Sequence, residues 1–245
     1  MKITRFFGLH QKNVTIIILC LGVLACQRGS ISYQPIAEAF TPDYKLDRFE
    51  AEIQNFEKQD AANGIKKGSI LFYGSSSWRF WKDIQTDLAP LPVLNRGFGG
   101  STIPELIHYT ERSVFPYEPK LIMVYGGEND LSGAKYKSAE QLFDSYRDFV
   151  ALVRNRLPHT KLCFVSMKLS PSRRKHWDTF KKGNAMVKAF STGKYLSYVD
   201  INPVLFNDNG TVKSELYTQD SLHINAQGYR EYAKVLLPVM KKHWK

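Results

Sequence analysis

Three consecutive serines, Ser75, Ser76 and Ser77, follow the apolar run "SILFYG" (69–74), and "DSLH" far downstream sets Asp220 three residues before His223. A hydroxyl becomes a nucleophile when a base takes its proton, and an imidazole serves as that base when a carboxylate holds its other ring nitrogen. One turn of chain between Asp220 and His223 is enough to bring carboxylate and ring together. Between these stretches lie "GFGGST" (97–102) and "GGEND" (126–130). A glycine lets the main chain approach a substrate closely. Asn129 offers an amide that donates without bringing charge or a titrating proton. Such donors suit the oxyanion formed when an acyl carbon is attacked. Each stretch also has a plain structural use, because Ser, Asp and Asn cap helices and glycines make tight turns. The spacing alone leaves open which of the three hydroxyls reacts, if any does.

The other histidines have less promising settings. His10 lies in the N-terminal leader and His243 in the basic tail. His108 falls inside a helical pattern, His159 in the turn "LPHT", and His176 in a basic helix.

The elements that must position these groups follow from hydropathy. Leu46, Phe49, Ile53 and Phe56 recur at helical spacing, and Gly64 ends that helix. Short apolar runs at 69–74, 92–97, 120–126, 161–167 and 196–201 predict strands. Helical patterns near 102–114, 138–156, 173–191 and 224–243 alternate with them. Strands rich in Val, Ile, Leu and Phe, each followed by a helix, predict a five-stranded parallel sheet covered on both faces, a three-layer α/β/α sandwich. Sites in such folds form at the carboxyl ends of the strands. Those ends are "GSSSW", "GFGGST", "GGENDL", "KLSPS" and the stretch leading to "DSLH".

Composition narrows the function further. The 245 residues carry 34 Lys and Arg against 23 Asp and Glu, a net charge of +11. The basic residues are scattered and no nucleic-acid motif accompanies them, so a solvated basic surface is expected, with no nucleic-acid partner. "GFGGST" lacks the third glycine of a dinucleotide fingerprint, no phosphate-loop motif occurs, and Trp78 occupies the last glycine position of G-x-S-x-G. Three cysteines in unrelated settings offer no paired metal site or disulfide, and Cys163 sits inside an apolar strand. No metal or organic cofactor is expected.

The N-terminus differs in kind. Lys2, Arg5 and Lys12 precede an apolar run at 14–25, too short to span a bilayer and ending in "VLAC". This resembles a bacterial lipobox, which implies a signal peptide over 1–25, lipid on Cys26 and a tether over 26–40 ahead of the domain at 41–245. A plain signal peptide is the alternative. The expected setting is the bacterial cell envelope, as an outer-membrane lipoprotein or a periplasmic protein, with the membrane met through the Cys26 lipid.

Taken in order, "FYGSSSW", "NRGFGGST", "YGGEND" and "DSLH" resemble the four blocks of the SGNH (GDSL-like) hydrolase family. The resemblance spans nearly all of the domain and implies a flavodoxin-like α/β/α fold. It implies Ser76 as nucleophile, His223 as base and Asp220 as its partner. The oxyanion donors it implies are the Ser76 N–H, Gly100 N–H and Asn129 amide. It departs from the family at Ser75, where aspartate is usual. Asn95 and Asp130 are expected to tie loop to loop, and Ser75 or Ser77 to cap the following helix. Trp78, Phe80 and Trp81 are either core or cleft wall, and Arg79, Arg96 and Glu128 are neighbours that could read a polar group. The implied activity is ester hydrolysis through an acyl-enzyme, with short acyl groups on glycan or small-molecule substrates. A lipase or lysophospholipase, an acyltransferase and a non-catalytic surface binding module remain the alternatives.

Overall fold

The computed structural model describes residues 46–133 and 137–244. The leader at 1–25, the tether at 26–40 and Cys26 fall outside them. Five parallel strands form one sheet: β1 (Ile70–Gly74), β2 (Val93–Gly97), β3 (Leu121–Tyr125), β4 (Lys161–Val165) and β5 (Leu196–Val199). Their order is β2-β1-β3-β4-β5. That is the doubly wound order of flavodoxin-type sheets, in which the chain reverses direction between β1 and β3 and leaves a crevice at their carboxyl ends. The expected strands are all present, each a residue or two shorter at its ends than the apolar run.

Side chains alternate across the sheet with the period of two that a pleated strand dictates. Leu71 and Tyr73 of β1, with Ile122 and Val124 of β3, join one core. Ile70 and Phe72, with Leu121, Met123 and Tyr125, join the other. Helices α1 (Glu50–Asn63), α4 (Ile103–Ser113), α6 (Ala139–Arg156) and α7 (Trp177–Phe190) pack into the first core. The short helices α2 (Ser76–Arg79) and α3 (Ile84–Asp87) and the long α8 (Ala226–Trp244) pack into the second. The fold is therefore the three-layer α/β/α sandwich expected. Cys163 lies in β4 with no exposed surface, and burial pushes its thiol up to about 11. It is inert packing.

Local sequence sets the helix ends near the crevice. Gly64 closes α1 at φ 77°, as the pattern required. Glu105 reaches back to the Thr102 N–H at 2.8 Å at the start of α4. Ser138 and Gln141 form the same reciprocal cap on α6, with bonds of 3.2 and 2.9 Å. The expected helix at 173–191 divides: Pro171–His176 is a 3-10 turn and α7 begins at Trp177. His176 therefore ends that turn rather than lying within the helix. The helices α2, α3 and α5 (Glu128–Ser132) are too short to show a hydrophobic period; of them α2 is the helix expected to follow the triple serine.

Candidate active site

β1 ends at Gly74, where a Cβ would stand 2.0 Å from the Tyr125 carbonyl oxygen of β3. Only glycine permits that approach, so the chain leaves the sheet tight against its neighbour. Ser75 N–H donates to the same carbonyl at 3.0 Å, and α2 starts at Ser76. The helix is pinned from below by Trp78, which is fully buried and whose indole N–H donates to the Met123 carbonyl at 3.1 Å. Asn95 of β2 holds the other end, donating to the Trp78 carbonyl at 2.7 Å and accepting from the Gly97 N–H at 2.9 Å. Its role is structural, as expected, although it ties β2 to α2 rather than loop to loop.

Ser76 is half-buried, and its hydroxyl donates to His223 Nε2 at 3.1 Å. His223 Nδ1–H in turn donates to Asp220 Oδ2 at 2.5 Å. The acceptor on one side fixes the tautomer and leaves Nε2 free for the serine proton. A tight loop arranges the pair. Ser221 takes φ 53°, and the loop closes through Thr218 N–H to the His223 carbonyl at 2.8 Å. Asp220 Oδ1 then accepts from the Thr218 hydroxyl (2.6 Å) and the backbone N–H groups of Leu222 and His223 (2.9 Å each). Burial alone would push this carboxyl up. The hydroxyl, the two amides and the imidazole outweigh it and hold Asp220 well below the usual carboxylate range. Thr218, two residues before the aspartate, escaped the sequence reading, although a hydroxyl at that offset is a familiar Asx-type partner.

Two further donors expected at this site are the backbone N–H of Ser76 and that of Gly100. Neither donates to a protein acceptor among the described residues. Gly100 sits at φ 80° with open space where a Cβ would be, and its carbonyl accepts from Arg48 at 2.8 Å. Asn129, at the start of α5, brings its amide nitrogen between Ser75, next to Ser76, and Ser101, next to Gly100. Both of its hydrogens are engaged, on Ser75 Oγ and on the Ser101 carbonyl, each at 2.9 Å. Its oxygen accepts from Arg173 at 2.8 Å.

The neighbouring serines do not cap α2, contrary to expectation; no side chain caps that helix. Ser75, where the family has aspartate, is buried and accepts the Asn129 amide instead. Ser77 is drawn beneath the site, where its Oγ accepts from Lys168 Nζ at 3.3 Å. Lys168 is itself buried and contacts both Glu128 oxygens, at 3.0 and 3.3 Å, and the Tyr125 hydroxyl at 3.2 Å. Tyr125 donates to Glu128 at 2.6 Å. Burial pushes the Lys168 ammonium down while Glu128 beside it pulls the other way. Lys168 opens the strand-end stretch "KLSPS" after β4, a place expected to hold chemistry with no residue of it singled out, whereas Arg173 lies just past that stretch, at the start of the helix expected over 173–191.

The other neighbours sort clearly. Asp130 accepts from the Ile103 N–H (3.1 Å) at the start of α4, tying loop to loop as expected. Burial pushes it up to about 6, against the pull of Lys137. Glu128 is committed to Lys168, and Arg96 is buried against Asp60 and the Tyr117 hydroxyl. Arg79 faces Glu52 at 3.8 Å. Glu128 and Arg96 are thereby engaged within the protein, whereas the Arg79 side chain is 47% exposed. Trp78 and Trp81 are core, whereas Phe80 is 41% exposed with its ring edge-on to His223, centroids 4.8 Å apart. Phe80 and His223 border a cavity of about 510 Å³ that also meets Trp81, Lys82, Asp83 and Tyr229. Among the described residues no cluster is suited to a metal ion, and no helix is long and apolar enough to cross a membrane.

Solved structures share this architecture. A GDSL-like lipase from Bacteroides thetaiotaomicron superposes with a TM-score of 0.64 at 19% identity, covering 78% of this chain and 98% of its own. An acetyl-xylooligosaccharide esterase from a Geobacillus species, in variant form, does so with a TM-score of 0.57 at 16% identity, covering 71% and 94%. A lipase/acylhydrolase from Enterococcus faecalis gives 0.54 at 15% identity over 73% and 96%. At such identities the likeness is one of fold. Among curated proteins nothing matches the sequence. The model of one family matches residues 62–231, from the end of α1 into α8 and across all four blocks, and by that match the chain belongs to the GDSL-like lipase/acylhydrolase family.

Proposed function

We propose that this acylhydrolase is a serine esterase that cleaves short acyl groups, acetyl first among them, from carbohydrate or similar hydroxyl-rich alcohols through an acyl-enzyme. The observation that carries the reading is the continuous chain Ser76 Oγ–His223 Nε2 (3.1 Å) and His223 Nδ1–Asp220 Oδ2 (2.5 Å). Ser76 Oγ attacks the ester carbonyl as its proton passes to His223, and Asp220 stabilises the imidazolium. The N–H groups of Ser76 and Gly100 receive the oxyanion. The Asn129 hydrogen now resting on the neutral Ser75 hydroxyl turns to it as well, since a charged oxygen is the stronger acceptor. His223 then protonates the leaving alkoxide, and water repeats the sequence on the acyl-enzyme.

The leaving oxygen has to lie at His223, so the alcohol occupies the His223 side of Ser76. There the roughly 510 Å³ cavity offers an exposed aromatic face at Phe80 beside Lys82 and Asp83, groups that suit a sugar ring's C–H face and hydroxyls. Hydrolysis of acyl esters of graded chain length by wild type and Ser76→Ala tests the reading. Loss of activity in the variant, with a sharp fall beyond short chains, is expected. Equal rates would overturn Ser76 as nucleophile, and a preference for long chains would point to a lipase. From the lipobox-like "VLAC" we also infer an envelope protein tethered by lipid on Cys26. Lipid incorporation lost in Cys26→Ala would support that anchor, and none in wild type would sink it.

A further inference from the structure

Arg173 sits in the 3-10 turn Pro171–His176 that follows β4, where its backbone (φ −109°, ψ 22°) interrupts the helical run. The turn is fastened on both sides. The Trp177 indole donates to the Ser170 carbonyl at 2.9 Å, and the Ser172 N–H donates to the carbonyl of Ser221, in the loop that carries Asp220, at 3.1 Å. From there the Arg173 guanidinium donates to Asn129 Oδ1 at 2.8 Å. Among the described residues this cation forms no ion pair with a carboxylate, so its charge is spent on an amide oxygen at the edge of the site.

Two consequences follow from elementary chemistry. An arginine only donates and the Ser101 carbonyl only accepts. Together they allow one orientation of the Asn129 amide, since a flip would set Oδ1 against the Ser101 oxygen and the NH2 against the guanidinium. The NH2 is thereby kept on the Ser75, Ser76 side. A cation on the carbonyl oxygen also draws electron density from the amide, which makes its N–H a stronger donor as negative charge develops opposite. Arginine stays charged and the amide does not titrate, so this assistance is constant across the working pH range.

We propose that Arg173 is a positioning residue that acts through Asn129, fixing and polarising the amide that meets the oxyanion. The inference rests on Ser76 and Asn129 having the roles assigned above. It names the strand-end segment after β4 as a fifth contributor to catalysis, beside the four blocks that carry the family resemblance.

The test is a cycle of variants assayed on p-nitrophenyl acetate: Arg173→Met, Arg173→Lys, Asn129→Ala and the Arg173→Met/Asn129→Ala double, with Ser76→Ala as reference. Asn129→Ala is expected to lower kcat by about 10²–10³-fold. Arg173→Met is expected to lower kcat by about 10- to 100-fold, the worth of a charged hydrogen bond, with KM within about twofold of wild type. Arg173→Lys, which can still donate a charge-assisted bond, recovers part of the loss. The double variant is expected to be no slower than Asn129→Ala alone, because the arginine then has nothing to act through. An undiminished Arg173 effect in the Asn129→Ala background would overturn the proposal in favour of direct substrate contact. A raised KM at unchanged kcat would overturn it too. Should Arg173→Met not fold, Arg173→Gln replaces it and is read by the same cycle. Activity that depends on Ser76 but not on Arg173 sinks only this inference, whereas activity surviving Ser76→Ala sinks the esterase reading and this inference with it.

Discussion

The two arms that converge on Ser76 are built by opposite means. The His223 arm is local and wet: Thr218, Asp220, Leu222 and His223 bond one another within six residues, and the Asp220 side chain is 47% exposed. The Asn129 arm is assembled from distant segments, with Asn129, Gly100 and Arg173 half-buried over a dry base. Asn129 reaches Ser75 and Ser101 from α5, Arg173 reaches Asn129 from beyond β4, and the Lys168–Glu128 pair beneath has side chains 2% and 5% exposed. The difference matches the two tasks. A base must exchange protons with incoming water and departing alcohol. Donors to an oxyanion work best where water does not compete with them.

The contrast is sharpest when one residue of each arm is removed. His223→Ala should lower kcat by about 10⁴-fold or more, as loss of a catalytic histidine does when the oxyanion donors remain. Its unfolding midpoint in urea should be unchanged, since a surface loop loses only a local bond. A variant with near-normal kcat would remove His223 from the mechanism. Lys168→Met should do the reverse. It strands the Glu128 carboxylate in the interior and is expected to cost about 3–5 kcal/mol of stability in the same urea titration. Adding Glu128→Gln should return much of that, because the buried charge is then gone. If Lys168→Met proves as stable as wild type, the Asn129 arm does not rest on this pair.

The same division explains what could be read from the sequence. The sheet, its order of elements and the helices longer than ten residues were legible, because apolar runs and helical periods are local signals repeated along the chain. Asp220 and His223 were legible for the same reason, being three residues apart in one turn. Gly74, Gly100 and Asn129 stood out only through the order of the four blocks. Arg173 and Lys168 did not stand out, since nothing near "KLSPSRRKHW" says that one side chain will meet Asn129 and another Glu128 across the crevice. Those contacts exist because β4 lies beside β3 in the sheet, which periodicity does not specify. Ser75 is the instructive case. Its sequence neighbours suggested a helix cap, and a partner 54 residues away takes its hydroxyl instead.

The smallest expected effect separates the arms by sign. In the unfolded chain both Asp220 and Asp130 titrate near 3.8. Folding lowers Asp220, so its contribution to stability is complete above about pH 4 and fades as pH falls through the depressed folded value. Folding raises Asp130 to about 6, chiefly by burial, so its contribution is present in acid and is lost as pH rises from about 4 through 6. Measured as wild type minus variant, the stability difference for Asp220→Asn should therefore shrink below pH 4. It should stay under about 1 kcal/mol and weaken further with salt, because that side chain is half in water. The difference for Asp130→Asn should fall across pH 4 to 6 by about 2–3 kcal/mol, with little response to salt. Urea unfolding of the three proteins between pH 3 and 7 decides the matter. Slopes of the same sign would mean that the two carboxylates share one environment, and the division into a wet arm and an arm on a dry base would not hold.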